Sequence, residues 1–151
     1  MLMLFLTAAA LVATIATIYS PARDPFWYET LVKPGLMPPD WVLSSIWLLL
    51  SVLLASSAWL LWCSAPWRSV SAALLLWWTQ LVLCGLFPAL LFGLKDLDGA
   101  IAVAAALVVA AGTTIGAFGR HSKLAAWMLA PFLGWVTWLA SMVHQTWLLN
   151  V

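Results

Sequence analysis

All eleven charged side chains of this 151-residue chain fall into four short clusters. The five long stretches that contain none of them cover residues 1–22, 41–67, 69–94, 99–119 and 124–151. A helix rises about 1.5 Å per residue, so about 20 apolar residues cross the hydrocarbon core of a bilayer. Each stretch reaches that length. Because lipid admits only helices and closed barrels, and strand-length alternating segments are missing, we predict an all-α integral membrane bundle of five transmembrane helices.

The composition supports a membrane protein and excludes several other classes. Hydrophobic residues make up 66% of the chain and charged residues 7%, against about 45–50% and about 25% in soluble domains. A formal charge of +1 provides no basic field for phosphates, so we expect no nucleic-acid partner. We expect an integral, multi-pass membrane protein, located in the cell membrane if the source is bacterial.

Prolines and charged clusters predict the element boundaries within a single domain, 1–151. We predict helices at residues 2–19, 41–63, 70–93, 99–118 and 124–149. The long loop 20–40 contains five prolines, which leave room for one short helical turn. Pro88 predicts a kink in the third helix, and Pro131 predicts an interruption of the fifth. The other connections are short, so sequential helices should be antiparallel neighbours.

The twelve tryptophans allow two interpretations. Six of them lie near predicted helix ends, where aromatic side chains anchor membrane proteins at the interface. Trp47, Trp135 and Trp138 lie about two turns or more inside predicted helices, and an interfacial belt explains them less well. The alternative is a flat-walled pocket that stacks an aromatic ligand.

The predicted spans contain no Asp, Glu, Lys or Arg, and ion or proton transport usually needs one. His144 lies near the C-terminal end of the fifth span, where an interfacial histidine and an axial haem ligand are both open. No general base stands beside a nucleophile. We therefore expect a binding or carrier protein for an apolar ligand rather than an enzyme, with no metal site and no required cofactor.

Two ladders of small residues could bring helices into close contact. Gly112 and Gly116 form one ladder, and Gly85, Ala89 and Gly93 form the other. Either ladder could form a homodimer seam or could pack within the monomer.

Three segments carry a resemblance to a known family. Residues 27–42 read WYETLVKPGLMPPDWV, and Trp47 follows. Gln80-Leu81 precedes Phe92-Gly93, and residues 131–136 read PFLGWV before a final Leu149-Asn150. In order and spacing these segments resemble the TspO/MBR family, the tryptophan-rich sensory proteins and translocator proteins. Its loop motif is WY-x-x-L-x-KP-x-W-x-PP-x-WVF.

The resemblance implies a five-helix bundle, commonly a homodimer, with a ligand pocket between helices beneath the long loop. Family members bind porphyrins, haem-pathway intermediates or sterols, so haem and protoporphyrin IX are possible ligands. The lining that it implies here is Trp27, Tyr28, Pro38, Pro39, Trp47, Cys84, Phe87, Trp135, Leu139 and Val143. In some bacterial members, tryptophans matching Trp47 and Trp135 support light-dependent breakdown of a bound porphyrin, which would make these two residues catalytic.

The chain also departs from the family pattern. Leu36 stands where the family has tryptophan, Ser51 stands where an aromatic residue is usual, and Cys84 and Val143 replace two asparagines. The pocket should therefore be more apolar than is usual. We expect a membrane receptor, carrier or sensor for a porphyrin or a similar planar hydrophobic ligand, with a sterol or lipid also possible. The alternatives are a light-dependent porphyrin-degrading enzyme and a regulatory scaffold whose pocket is partly lost.

Overall fold

The computed structural model describes residues 1–20, 24–35 and 39–150, and of Asp40 the backbone alone. Arg23, Leu36 and Pro38 lie outside these residues. The described chain is helical and contains no strand. Its elements are α1 (Leu2–Ile18), α2 (Pro25–Thr30), α3 (Asp40–Ser64), α4 (Trp67–Pro88), a π segment (Ala89–Leu94), α5 (Leu97–Gly119) and α6 (Lys123–Asn150). With α4 and the π segment taken together as one helix, the bounds of the five predicted helices agree with the structure to within three residues. The α2 helix is the predicted turn in the long loop.

Four of the helical segments are long and apolar enough to cross a membrane. They are Trp41–Ser64, Trp67–Leu94, Leu97–Gly119 and Lys123–Asn150, of 23 to 28 residues. The α1 helix is apolar as well, but it has 17 residues and falls below that length. The described part of the chain is thus an all-helical membrane bundle with four strongly apolar spans and one shorter apolar helix.

Local sequence explains where most of the helices begin. Pro39 and Pro66 stand immediately before α3 and α4, where a fixed φ suits the first turn. Asp24 and Asp96 cap α2 and α5, because each carboxylate accepts a hydrogen bond from a backbone N–H three residues later. Ser122 accepts one in the same way at the start of α6.

The two helix-interior prolines behave differently. After Pro88 the backbone changes from α to π hydrogen bonding, and the segment ends at Lys95 in the left-handed region with a φ of 58°. The structure thus places a change of helix type beside the predicted kink. The predicted interruption at Pro131 is wrong. The α6 helix continues through it without a break, because a proline removes one hydrogen bond and the rest of a long, packed helix can hold its geometry.

The five long helices form a closed ring in the order α1, α3, α6, α5, α4 and back to α1. The prediction that sequential helices are neighbours holds for α4 with α5 and for α5 with α6. It is wrong for α3 and α4, which contact each other less than either contacts α1. Trp77 of α4 still reaches α3, where its Nε1 donates a hydrogen bond to the Leu54 carbonyl at 3.1 Å.

The ring has two halves. The packed half is the end with the α3–α4 and α5–α6 turns, and its core includes the fully buried side chains Leu61, Trp77, Phe118, Leu129 and Phe132. The loop half is the opposite end, beneath residues 20–40. A smaller cluster of buried residues lies there, made of Phe87, Leu91, Ala100, Ala104 and Val143.

The small-residue ladder on α4 is used inside the monomer. A Cβ added at Gly93 would lie 2.9 Å from two ring carbons of Tyr19, so the close approach of α1 to the π segment requires glycine there. Gly85 faces Val12 and Ile15 of α1. By contrast, a Cβ at Gly112 or Gly116 of α5 would meet no described atom within 4 Å.

Candidate functional site

A cavity of about 570 Å³ lies inside the ring in the loop half. Small-molecule sites usually have volumes of about 300–1,000 Å³. Every long helix and the loop contribute to the lining, which consists of Ala13, Ala16, Thr17, Ser20, Tyr28, Leu31, Lys33, Leu43, Ser44, Trp47, Leu48, Phe87, Pro88, Leu91, Phe92, Leu97, Trp135, Trp138, Leu139, Met142, Val143 and Thr146. Most of these side chains are apolar, as expected for a site that takes a hydrophobic molecule.

Parts of α1 and α3 that border the cavity are exposed, whereas other parts of the same helices are buried. Ser44, Leu48 and Ala55 lie on one face of α3, since they are spaced at helical intervals. Ala55 is 0% exposed, whereas Leu48 is 64% exposed and lines the cavity. On α1, Ala9 is buried and Thr17, two turns later, is exposed and also lines the cavity. The same faces of the two helices are thus covered in the packed half and border the cavity in the loop half.

Trp47 and Trp135 both line the cavity, and both carry an unused hydrogen-bond donor. Their Nε1 atoms are buried and have no hydrogen-bond partner among the described residues. Trp77 and Trp147 differ, because the first donates to the Leu54 carbonyl and the second to the Asp98 carboxylate. A buried donor left unpaired costs about 1–3 kcal/mol. Both N–H groups are enclosed by protein atoms beside the cavity, so an outside acceptor would reach them only if these side chains shifted. The buried Gln80 amide, which does not line the cavity, is unpaired among the described residues as well.

The Trp135 ring also stacks on a second indole. The centroids of Trp135 and Trp138 are 4.9 Å apart and their planes are inclined by 28°. Both rings line the cavity, so one wall is a flat aromatic surface.

The structure brings together six of the ten side chains predicted to bind a ligand. Tyr28, Trp47, Phe87, Trp135, Leu139 and Val143 all line the cavity. Trp27, Pro39 and Cys84 do not line it, and Pro38 lies outside the described residues.

Each side chain placed elsewhere has an evident position. The Trp27 backbone N–H donates a hydrogen bond to the Asp24 carboxylate, and the centroid of the Trp27 ring lies 5.6 Å from the Lys95 Nζ. The ring therefore lies beside Lys95 and not in the cavity. Pro39 is exposed at the start of α3. Cys84 is buried and lines a separate void of about 10 Å³ with Trp47 and Ser51. That void adjoins the cavity through Trp47, which lines both.

Sequence reasoning missed several lining residues. Trp138 lies three residues after Trp135 on α6, so helical spacing could have placed both on one wall. Lys33 belongs to the loop motif that carried the resemblance, but nothing in its spacing indicates that it faces the cavity. The sequence could not predict that Ala13, Ala16 and Thr17 line the cavity, because this depends on how α1 is placed in the ring.

The loop is attached to the helix ends by side-chain contacts. The Asn150 amide accepts a hydrogen bond from the Val32 N–H and donates one to the Val32 carbonyl, both at 3.0 Å. Lys95 donates to Asp24 at 2.6 Å in an ion pair. This hydrogen bond and the Trp27 N–H lower the pKa of the Asp24 carboxyl from its ordinary value. The edge-to-face contact of Tyr28 with Phe92, with centroids 5.8 Å apart, seats the loop over the cavity.

The residues that could hold a metal or a haem are few. Within 1–20, 24–35 and 39–150, no three His, Cys, Asp or Glu side chains form a group that could bind a metal. His144 is exposed, stacks on Trp147 with centroids 6.1 Å apart, and does not line the cavity. The geometry thus places this histidine at the surface near the end of α6.

Comparison with known proteins decides the family. A family model described as "TspO/MBR family" matches residues 2–148. The chain belongs to the TspO/MBR family. As in that family, it is an integral multi-pass membrane protein, which agrees with its apolar spans.

Individual relatives are similar over most of their length. A tryptophan-rich protein TspO from Archaeoglobus fulgidus is 32% identical over 82% of this chain and 80% of its own. A translocator protein from Homo sapiens is 30% identical over 80% of this chain and 73% of its own. A tryptophan-rich sensory protein from Cereibacter sphaeroides is 30% identical over 89% of this chain and 83% of its own. These TspO/MBR proteins are named for sensing and translocation.

Proposed function

We propose that this protein is a membrane receptor or carrier that binds a porphyrin or a similar planar hydrophobic molecule in the loop-half cavity. The observation that carries the proposal is the pair of unpaired indole donors, Trp47 and Trp135, at an apolar cavity of about 570 Å³. A planar ring system with acceptor atoms would lie against the Trp135 and Trp138 wall and receive these donors.

The size and lining of the cavity favour a binding protein over a scaffold with a partly lost pocket. Replacement of the family asparagines by Cys84 and Val143 has not closed the cavity. Val143 is part of its apolar wall, and Cys84 lies behind Trp47 in the smaller void. A scaffold acting through partners alone would need no such internal volume, because packed interiors contain few voids larger than a water molecule.

The same proposal includes α1 as a fifth span. Its 17 residues give about 26 Å of helix, slightly less than the roughly 30 Å hydrocarbon core. It packs along α3 and α4 as a member of the ring. A short span can be accommodated by local thinning of the bilayer. Cysteine accessibility from the two sides of a sealed vesicle should place Met1 and Asn150 on opposite faces.

Titration with protoporphyrin IX in lipid nanodiscs tests the binding proposal, with the Soret band as the readout. The Trp47→Phe, Trp135→Phe double variant keeps two aromatic rings and removes both donors. We expect its Kd to rise about thirtyfold, because each lost hydrogen bond costs about 1 kcal/mol. The matched control is the Trp41→Phe, Trp127→Phe double variant, since both of its indoles are more than 70% exposed on the outer surface. Equal Kd values for the two double variants would contradict the proposal.

Light-dependent porphyrin breakdown is the second candidate, favoured by the stacked indoles at the cavity wall. An indole can give one electron to a photoexcited macrocycle and become a radical cation, and a neighbouring stacked ring can share the charge. Illumination of the complex should then bleach the Soret band faster than illumination of free porphyrin, and should yield a discrete product. Equal bleaching rates would leave binding as the function.

The homodimer implied by the resemblance stays a prediction. Of the two small-residue ladders, the one on α4 is occupied by α1, and the face with Gly112 and Gly116 is open. A dimer seam on that face should show disulfide cross-linking of a Gly112→Cys variant in membranes. A Gly85→Cys variant, which faces α1, should not cross-link.

A further inference from the structure

Lys33 is the one charged side chain among the described residues that line the cavity. It lies in the loop, two residues after Leu31, which also lines the cavity. Its Nζ lies 3.6 Å from the centroid of the Tyr28 ring, in a cation–π contact. This contact uses the face of the ring and holds the ammonium group at the loop end of the cavity.

Among the described side chains, no carboxylate forms an ion pair with Lys33. The Asp24 carboxylate pairs with Lys95 at 2.6 Å, the one ion pair found among the described side chains. Asp96 accepts the Gly99 N–H, and Asp98 accepts the Trp147 Nε1. An ammonium group has three N–H donors, and a ring face does not replace a hydrogen-bond acceptor. Lys33 therefore keeps donors for an acceptor from outside the described chain.

The polar groups at the cavity that lack an acceptor among the described residues are all hydrogen-bond donors. The Trp47 and Trp135 indoles offer N–H groups, and Lys33 offers a full positive charge. No carboxylate is among the described lining residues. Such a site attracts acceptors and anions, and it repels a cationic ligand.

We infer that the ligand is an amphiphile with an anionic group, a carboxylate or a phosphate, at one end of its apolar body, and that Lys33 binds this group. This inference rests on the proposed function of the same cavity. The apolar body lies between Phe87, Leu139 and the indole wall, and the anionic end lies at the loop, where the bilayer interface solvates it. The chemistry fits a porphyrin propionate, a fatty acid or an anionic phospholipid.

Pairs of ligands that differ only in charge test the inference. Wild-type protein in neutral phosphatidylcholine nanodiscs is titrated with protoporphyrin IX and its dimethyl ester, and with palmitate and methyl palmitate. We expect each acid to bind about tenfold more tightly than its ester, a difference of about 1.4 kcal/mol, because the ester cannot accept a charge-assisted hydrogen bond. The pair that shows the larger preference identifies the source of the carboxylate. Competition by a phosphatidylglycerol with short acyl chains tests the phosphate.

The Lys33→Met variant should lose the preference for the acid and should still bind the esters. Lys33→Arg should restore it. The control Lys123→Met removes the same charge at the opposite end of the molecule and should leave the preference intact. Equal acid and ester affinities in wild type, or an unchanged preference in Lys33→Met, would overturn the inference while the binding cavity stands. If wild type binds neither acids nor esters, the proposed function itself fails and the inference fails with it.

Discussion

The two halves of the ring are built from the same kinds of residues, but they differ in how completely these residues fill the interior. In the packed half, Trp77 is 0% exposed, its Nε1 has an acceptor, and its ring meets Phe5 and Trp78 edge to face. In the loop half, Trp47 and Trp135 border an open volume and their donors are unpaired. Aromatic content therefore does not distinguish a core from a site. Trp77 differs from Trp47 and Trp135 in that its indole N–H has a hydrogen-bond acceptor.

The difference between the halves comes from helix geometry. The same face of α3 is buried at Ala55 and exposed at Leu48. At the loop end the chain between α1 and α3 is long and rich in proline, so it does not draw the two helices together as a short turn would. The loop instead covers the space through Tyr28, Leu31 and Lys33.

The largest effect should come from truncating one tryptophan in each half. Trp77→Ala removes a filled volume and leaves a cavity, so we expect about 3–5 kcal/mol lower unfolding free energy. Trp135→Ala only enlarges an existing cavity and should cost less than half as much. Thermal unfolding in detergent measures both, with Trp127→Ala as a surface control, since Trp127 is 74% exposed. Equal losses for Trp77 and Trp135 would remove the distinction between the halves.

A smaller effect should follow from adding volume instead of removing it. Ala55→Phe inserts a ring at a fully buried position of α3, and overpacking should lower the unfolding free energy by about 1–3 kcal/mol. Val143→Phe places the same ring at a residue that borders the cavity, so it should lower the unfolding free energy less than Ala55→Phe does, while porphyrin binding weakens. The comparison uses one unfolding curve and one titration for each variant. Unweakened binding by Val143→Phe would mean that the ligand does not occupy this cavity.

The smallest effect should be a pH dependence confined to the loop half, because the described carboxylate side chains, Asp24, Glu29, Asp96 and Asp98, belong to segments at that face. The pKa of Asp24 is lowered in the folded protein by its hydrogen bond from Lys95. Its contribution to loop attachment is therefore complete above the ordinary aspartate pKa and is lost as the pH falls through the lowered value. Hydrogen exchange of the loop amides should accelerate in that range relative to the intrinsic rate. Lys95→Met should raise the pKa of Asp24 and abolish the acid transition, whereas amides around Phe118 should not respond in either protein.

Much of the fold was predictable because the membrane restricts the possibilities. Charge-free stretches of sufficient length must be helical in lipid, and the helix ends follow from Pro39, Pro66, Asp96 and the charged clusters. The errors were of another kind. Pro131 did not interrupt α6, since the loss of one hydrogen bond leaves a long helix intact. The α3 and α4 helices are not close neighbours, because sequence contains no information about the order of helices around a ring.

The candidate site was predictable only where a residue's type and depth pointed to it. Trp47 and Trp135 stood out as tryptophans too deep for an interfacial belt, and the resemblance supplied Tyr28, Phe87, Leu139 and Val143. Cys84 was expected in the pocket and lies behind Trp47, because the helix turns its side chain towards the smaller void. Lys33 could not be assigned from sequence, since a loop lysine near the interface usually extends to water.

The sequence by itself determined that this chain is helical, lies in a membrane and belongs to one family, because hydrophobic length and motif spacing are properties of residues in order. The tertiary structure decided where the chain is hollow, which indoles lack an acceptor and which cation faces the hollow. These features depend on how the five helices pack and on where the loop returns. Helix packing is the sum of many weak contacts between distant residues, and no local sequence pattern indicates it.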